Sequence, residues 1–167
     1  DVFGRFEWER APQPRNPEAI RVTDRWHYEN LTTVTVPELL HISADARYEA
    51  TRMTFHQKAV YQLLGLWNAW EEAGLMHLIL SYNGAYNPRL IRGSRSTLSA
   101  HAYGVAFDIN ARWNRLGTTP ALIGERGSVR KLVQLANEWG FYWGGHFRHR
   151  PDGMHFEIAK LLPTSAT

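Results

Sequence analysis

The sequence predicts a single α+β domain, a small and mostly antiparallel sheet with helices packed against it. Three observations carry that prediction. Phe55, Ala59, Leu63, Leu66, Trp67 and Trp70 recur at helical spacing, and Gly74 closes the run. Residues 103–110 and 154–158 instead alternate apolar with small or polar residues, the signature of strands. A length of 167 residues with 44% apolar content suits one core and leaves little room for a second.

Taken in order, residues 1–20 carry Pro12, Pro14 and Pro17 among polar neighbours and read as an arm or linker. The folded domain is then expected over 21–162, with a short tail at 163–167. Residues 32–36 are rich in β-branched side chains and stop at Pro37, which predicts a short strand. A long helix is expected over 54–73, followed by a buried strand over 75–82. Asn83-Gly84 opens a long irregular loop holding Pro88, Gly93 and three arginines, and so long a loop in a small domain points to function. In the strand 103–110, Val105, Phe107 and Ile109 share one face. Gly104, Ala106, Asp108 and Asn110 share the other, which leaves space in front of Asp108. A second helix should run from Ser128, a good N-cap, to Trp139, with Gly140 ending it. Residues 141–143 and 154–158 complete the sheet.

Composition excludes several classes of function. A net charge of +3 and a pI near 9.4 suit polyanionic surroundings. No Lys/Arg run exceeds two residues, however, so nucleic-acid binding rests on pI alone and is set aside. The absence of cysteine excludes disulfides and thiolate metal sites. No apolar run is long enough to form a transmembrane segment. Asp1 stands where an initiator Met would, which leaves room for a removed signal peptide or a preceding domain.

Chemistry concentrates in the last third. His27, His41, His56 and His77 sit singly and read as structural. His101, Asp108 and His155 offer two imidazoles and a carboxylate, a set that holds a catalytic zinc and leaves a fourth position for water. His101 precedes Asp108 by seven residues, so a continuous strand would place them on opposite faces. His101 must therefore come from a loop before the strand, or the chain must bend at Gly104. Pro151-Asp152-Gly153 is a turn sequence feeding into His155, and it sets Asp152 beside the metal where a general base is needed. His146 and His149 are spaced i, i+3 in a loop, which suits a surface or the edge of a substrate site.

Three ordered blocks carry a resemblance: Ser99-Ala-His101-Ala-Tyr-Gly104-Val-Ala106-Phe-Asp108, Gly140-Phe-Tyr-Trp143-Gly144-Gly145, and Asp152-Gly-Met-His155-Phe156-Glu157. Together they resemble the zinc peptidases of bacterial cell walls that include D-alanyl-D-alanine carboxypeptidases and L-alanyl-D-glutamate endopeptidases, within the wider group shared with lysostaphin-type enzymes. The resemblance spans roughly residues 55–158. It implies one Zn2+ per chain on His101, Asp108 and His155, carried by the small sheet, with Asp152 as catalytic base. It also implies an arginine near the substrate carbonyl, for which Arg89 is preferred and Arg92 is the alternative. Ser99, Arg92 and His146 are the substrate-binding candidates. Glu157 falls where lysostaphin-like relatives have a second histidine, and is expected to support a ligand rather than bind metal itself.

An aspartate three residues before the last histidine, after Trp143-Gly144-Gly145, matches the endopeptidase branch, whereas the carboxypeptidase branch places a glutamate there. The expected activity is thus hydrolysis of the peptidoglycan stem peptide between L-alanine and D-glutamate, with D-alanyl-D-alanine carboxypeptidase as the alternative. A reading from another class is a non-catalytic wall-binding module. The expected place of action is the bacterial cell wall or periplasm, as a bacteriolytic endolysin, a secreted enzyme or part of a longer chain in a phage or secretion assembly.

Overall fold

The structure, a computed structural model, describes residues 2–42 and 51–164. In chain order its elements are β1 (Trp8–Arg10), β2 (Ile20–Val22), α1 (Trp26–Asn30), β3 (Leu31–Thr35), β4 (Arg52–His56), α2 (Val60–Glu72), β5 (Ala106–Asp108), α3 (Val133–Glu138), β6 (Phe141–Trp143) and β7 (His155–Ile158), with short 3₁₀ turns between several of them. Every strand pair among the described residues is antiparallel: β1 with β2, β3 with β4, and a three-stranded sheet in the order β5-β7-β6. The fold is the expected α+β class.

The three-stranded sheet divides its chemistry between its faces. Its register sets Asp108 opposite His155, Ala106 opposite Glu157, and Tyr142 opposite Glu157 on the other side. Alternation therefore puts all five on one face. The other face carries Phe107, Phe156, Ile158, Phe141 and Trp143, all buried. Phe107 stacks on Phe156, and Trp67 and Trp70 of α2 pack edge-on or tilted against them. Trp70 Nε1 donates to the Leu132 carbonyl at 3.1 Å, so this large ring enters the core with its polar atom satisfied.

Several expected elements need correction. The helix begins at Val60, because 52–56 is strand β4 paired with β3 over five residues. Met53 and Phe55 are buried and Arg52 is exposed, a period of two that the helical reading of Phe55 overlooked. The end of α2 behaves as expected: Gly74 has φ +71°, and Leu75 N–H returns to the Trp70 carbonyl. The expected strand over 75–82 is instead a 3₁₀ turn at Met76–Leu78 and an extended segment that bridges Ile109 at Tyr82 and accepts from Asn110 N–H at the Ser81 carbonyl. The second helix starts later than Ser128, with a 3₁₀ turn at Arg130–Leu132 before α3, although Ser128 Oγ does accept from Arg130 N–H.

The proline-rich start is not a free arm. Phe6 and Ile20 form a second buried cluster with Trp26, Leu90 and Ala102, and β1 pairs with β2. Its strands are too short for an apolar period to show in sequence. Of the expected tail, residues 165–167 lie outside the described residues.

A buried polar hub explains why 78–81 is not a strand. Asn110 is fully buried with φ +52°, and its Oδ1 accepts from Leu80 and Ser81 N–H at 2.7 and 3.2 Å. Its Nδ2 donates to the Leu78 and Gly127 carbonyls at 2.8 and 3.1 Å. One side chain thus does for this segment what a strand ladder would, two residues beyond Asp108. Asn110→Gly, which keeps the backbone freedom and deletes only the side chain, is expected to cost about 3 kcal/mol or more in urea unfolding. A loss below about 1 kcal/mol would mean that water replaces the hub.

Candidate metal centre and cleft

His101 lies on the 3₁₀ turn Ala100–Tyr103, so it comes from before the strand, and the chain also bends at Gly104, which has φ +67°. Ser99 Oγ caps that turn by accepting from His101 N–H at 3.2 Å. A Cβ on Gly104 would stand 2.6 Å from Leu31 Cδ2, so glycine serves both the bend and the close approach of β3.

His101 Nε2, Asp108 Oδ1 and His155 Nδ1 converge. The two imidazole nitrogens are 3.1 Å apart, and each lies 3.3 Å from the carboxylate oxygen. A tetrahedral ion with bonds of about 2.0–2.1 Å holds its ligand atoms about 3.3 Å apart, so the triangle has the size of one face of a zinc site. The outward nitrogens fix the tautomers. His101 Nδ1 faces the Ala85 carbonyl at 2.7 Å, and His155 Nε2 faces Glu157 Oε1 at 2.9 Å. Both partners only accept, so those nitrogens carry the protons and the inward ones carry lone pairs. Three lone pairs aimed at one point require a cation, and the donor set fits zinc.

Without an ion, a proton takes that place. Burial opposes charge on His155, but hydrogen bonds to Asp108 and Glu157 outweigh it and push its pKa up to about 9. Asp108, despite burial that opposes its charge, is held well below the usual carboxylate range by both histidines.

Asp152 stands on the turn entering β7. Its N–H donates to the Gly144 carbonyl at 2.8 Å, and His155 N–H donates to its carbonyl at 3.1 Å. A Cβ on Gly144 would meet the Asp152 carbonyl oxygen at 2.4 Å, so the Trp143-Gly144 sequence lets this turn press close. Trp143 Nε1 seals the contact by donating to the Gly153 carbonyl at 2.8 Å. Asp152 Oδ1 is buried with no hydrogen-bond partner among the described residues. Burial pushes the Asp152 pKa up and Asp108 adds to that, while His155, His101 and Arg89 oppose it.

A cleft of about 510 Å³ opens in front of these groups, lined by Arg89, Ser99, Asp108, Phe147, Asp152 and His155 among others. A second cavity of about 270 Å³ includes Tyr86 and His101, and shares Arg89, Arg92 and Asp108 with the first. Arg89 is half-buried, and its Nε has no partner among the described residues. Arg92 also lines the cleft, but Glu18 and Asn16 hold its Nη1 at 2.8 and 2.6 Å. His146 lines neither cavity, because the Gly144–His146 turn sets its ring edge-on against Trp143. Phe147 takes the place at the cleft instead. Sequence reasoning missed the Ala85 carbonyl, Phe147 and Glu18; a backbone carbonyl leaves no mark in a sequence, and Glu18 fell within the supposed arm.

Residues 92–158 match the family model described as D-alanyl-D-alanine carboxypeptidase. The chain is a zinc metallopeptidase. That family acts on peptidoglycan, and the matched segment contains all three converging donors and Asp152. No curated protein and no solved structure matches the chain. Among the described residues no helix is long and apolar enough to cross a membrane.

Near neutral pH, zinc binding is expected to displace about one proton, that of His155, because ion and proton compete for one lone pair. Calorimetric titration in buffers of different ionisation enthalpy counts it, and release of none would contradict a proton on His155 in the metal-free site. Glu157→Ala should weaken zinc binding about 10–100-fold in competition with a chelating dye.

Proposed function

We propose that this chain hydrolyses the peptidoglycan stem peptide between L-alanine and D-glutamate. The observation that carries this reading is Asp152 on its turn beside the three converging donors, an aspartate rather than a glutamate, with one buried carboxylate oxygen unpartnered among the described residues. The shorter side chain needs its backbone close to the metal, and the Gly144 contact supplies that approach. Asp108 borders both cavities, and that room suits a chain that continues past the scissile bond. The family description favours a second reading, removal of the terminal D-alanine. Both bonds leave a free carboxylate on the carbon next to the scissile nitrogen, so the arginines of the cleft suit either.

Zinc, when bound, supplies the Lewis acidity that makes water a nucleophile at neutral pH. Asp152 accepts the proton of the attacking water and returns it to the departing amine. Its burial-raised pKa suits both halves of that exchange. Arg89 donates to the carbonyl oxygen as negative charge develops there. Ser99 holds the His101 turn and borders the substrate, and Phe147 with Leu98, Leu116 and Met154 gives the cleft an apolar wall. The place of action is outside the cytoplasm, at the cell wall or in the periplasm.

Mass spectrometry of digested muropeptides tests the bond. The proposal expects a lactoyl-L-alanine end and a peptide with a new D-glutamyl amino terminus. Release of single D-alanine would move the chain to the carboxypeptidase reading, and zinc retention with no cleavage would favour a wall-binding module. Asp152→Ala should keep zinc and lose most turnover. Arg89→Ala should lower turnover on the order of a hundredfold. It should also move the acid limb of the kcat/KM profile to higher pH. The base works only when ionised, and removing a cation that lowers its pKa raises the pH needed. An unmoved limb would separate Arg89 from Asp152.

A further inference from the structure

Residues 16–20 lie outside the matched segment, yet they brace one wall of the cleft. Glu18 presents its carboxylate to two donors, Arg92 Nη1 at 2.8 Å and Gly93 N–H at 3.0 Å. Arg92 Nη1 also donates to Asn16 Oδ1, and Asn16 Nδ2 reaches Asn87 Oδ1 at 3.2 Å. The backbone repeats the connection. Ile20 N–H donates to the Pro88 carbonyl, Leu90 N–H to the Glu18 carbonyl, and Ala19 bridges to Arg89. On its other side Arg89 accepts from Ser99 N–H at 3.1 Å, where the turn carrying His101 begins. The segment bearing Arg89 is thus held between the N-terminal residues and the metal-ligand turn.

Two guanidiniums line this cleft, and they are not equivalent. Burial works against the charge of Arg89, and the nearby charge of Arg92 adds to that. Arg92 is tied down through an ion pair whose carboxylate side chain is only 16% exposed. Among the described residues Arg89 gives one bond to the Leu90 carbonyl and keeps its Nε without a partner.

We propose that Glu18 is a positioning residue for the reaction. By tethering Arg92 to the N-terminal segment, it leaves Arg89 as the guanidinium that meets the developing charge beside Asp108 and His155. The proposal rests on the peptidase reading above. Without the tether, Arg92 swings into space it shares with Arg89 and repels it from the developing charge.

Glu18→Gln tests this with little change of shape. Both partners of Glu18 are donors, and a glutamine has one acceptor oxygen and a donating amide nitrogen, so it cannot serve both. Turnover should fall about ten- to a hundredfold with KM nearly unchanged. In an Arg92→Gln background the same substitution should have no further effect, because the role acts through Arg92. Independently of activity and metal, exchange of the Arg92 guanidinium protons followed by NMR should quicken in Glu18→Gln. If that variant does not fold, Glu18→Asp carries the same cycle with both acceptor oxygens kept. An equal fall in kcat in both backgrounds, or unchanged kcat and unchanged exchange, overturns the proposal. A wild-type chain that binds zinc and cleaves nothing overturns the peptidase reading instead, and the exchange measurement still decides the tether.

Discussion

Three lone pairs directed at one point in a largely buried site repel one another unless a positive charge lies among them. His101, Asp108 and His155 are held in that arrangement at 3.1–3.3 Å, and nothing in their own chemistry would keep them there. The surroundings impose it. The Ala85 carbonyl and Glu157 fix which nitrogens face inward, and burial of the cluster keeps water from dissolving the conflict. A proton on His155 relieves the repulsion in part, and a divalent ion relieves it fully while leaving a coordination position open.

Much of the remaining structure answers to that constraint. β5 and β7 bring Asp108 and His155 side by side because antiparallel register pairs them directly. The opposite face of the same strands is locked by Phe107, Phe156 and the α2 tryptophans, so neither ligand can shift without disturbing the core. Gly104 and Gly144 remove side chains where the His101 turn and the Asp152 turn approach their neighbours most closely. The N-terminal strand pair extends the same logic to the arginines, and joins the cleft to residues far from it in sequence.

How much of this was legible in the sequence depended on range. Residues whose role follows from local pattern were readable: the alternation around Asp108, the turn at Asp152, and the bend at Gly104 all express local geometry. β4 was lost to the helix because Phe55 satisfies both a period of two and a period of 3.6, and only pairing with β3 decides between them. The strand expected at 75–82 failed because Asn110, thirty residues downstream of Leu80, takes its backbone hydrogen bonds. Glu18 and Ala85 act across long sequence separations, one through a carboxylate that looked solvated and one through a carbonyl that every residue possesses. His146 was misplaced for a related reason, since a spacing cannot say which way a 3₁₀ turn aims its last side chain.

The central claim is that the cluster is a tetrahedral zinc site with one position left for water. X-ray absorption at the zinc edge on purified protein tests it most directly. The arrangement predicts one zinc per chain with two imidazole nitrogens and two oxygens at about 2.0–2.1 Å, one oxygen from Asp108 and one from solvent. A protein that holds no zinc under these conditions, or holds it six-coordinate without imidazole scattering, would contradict the account.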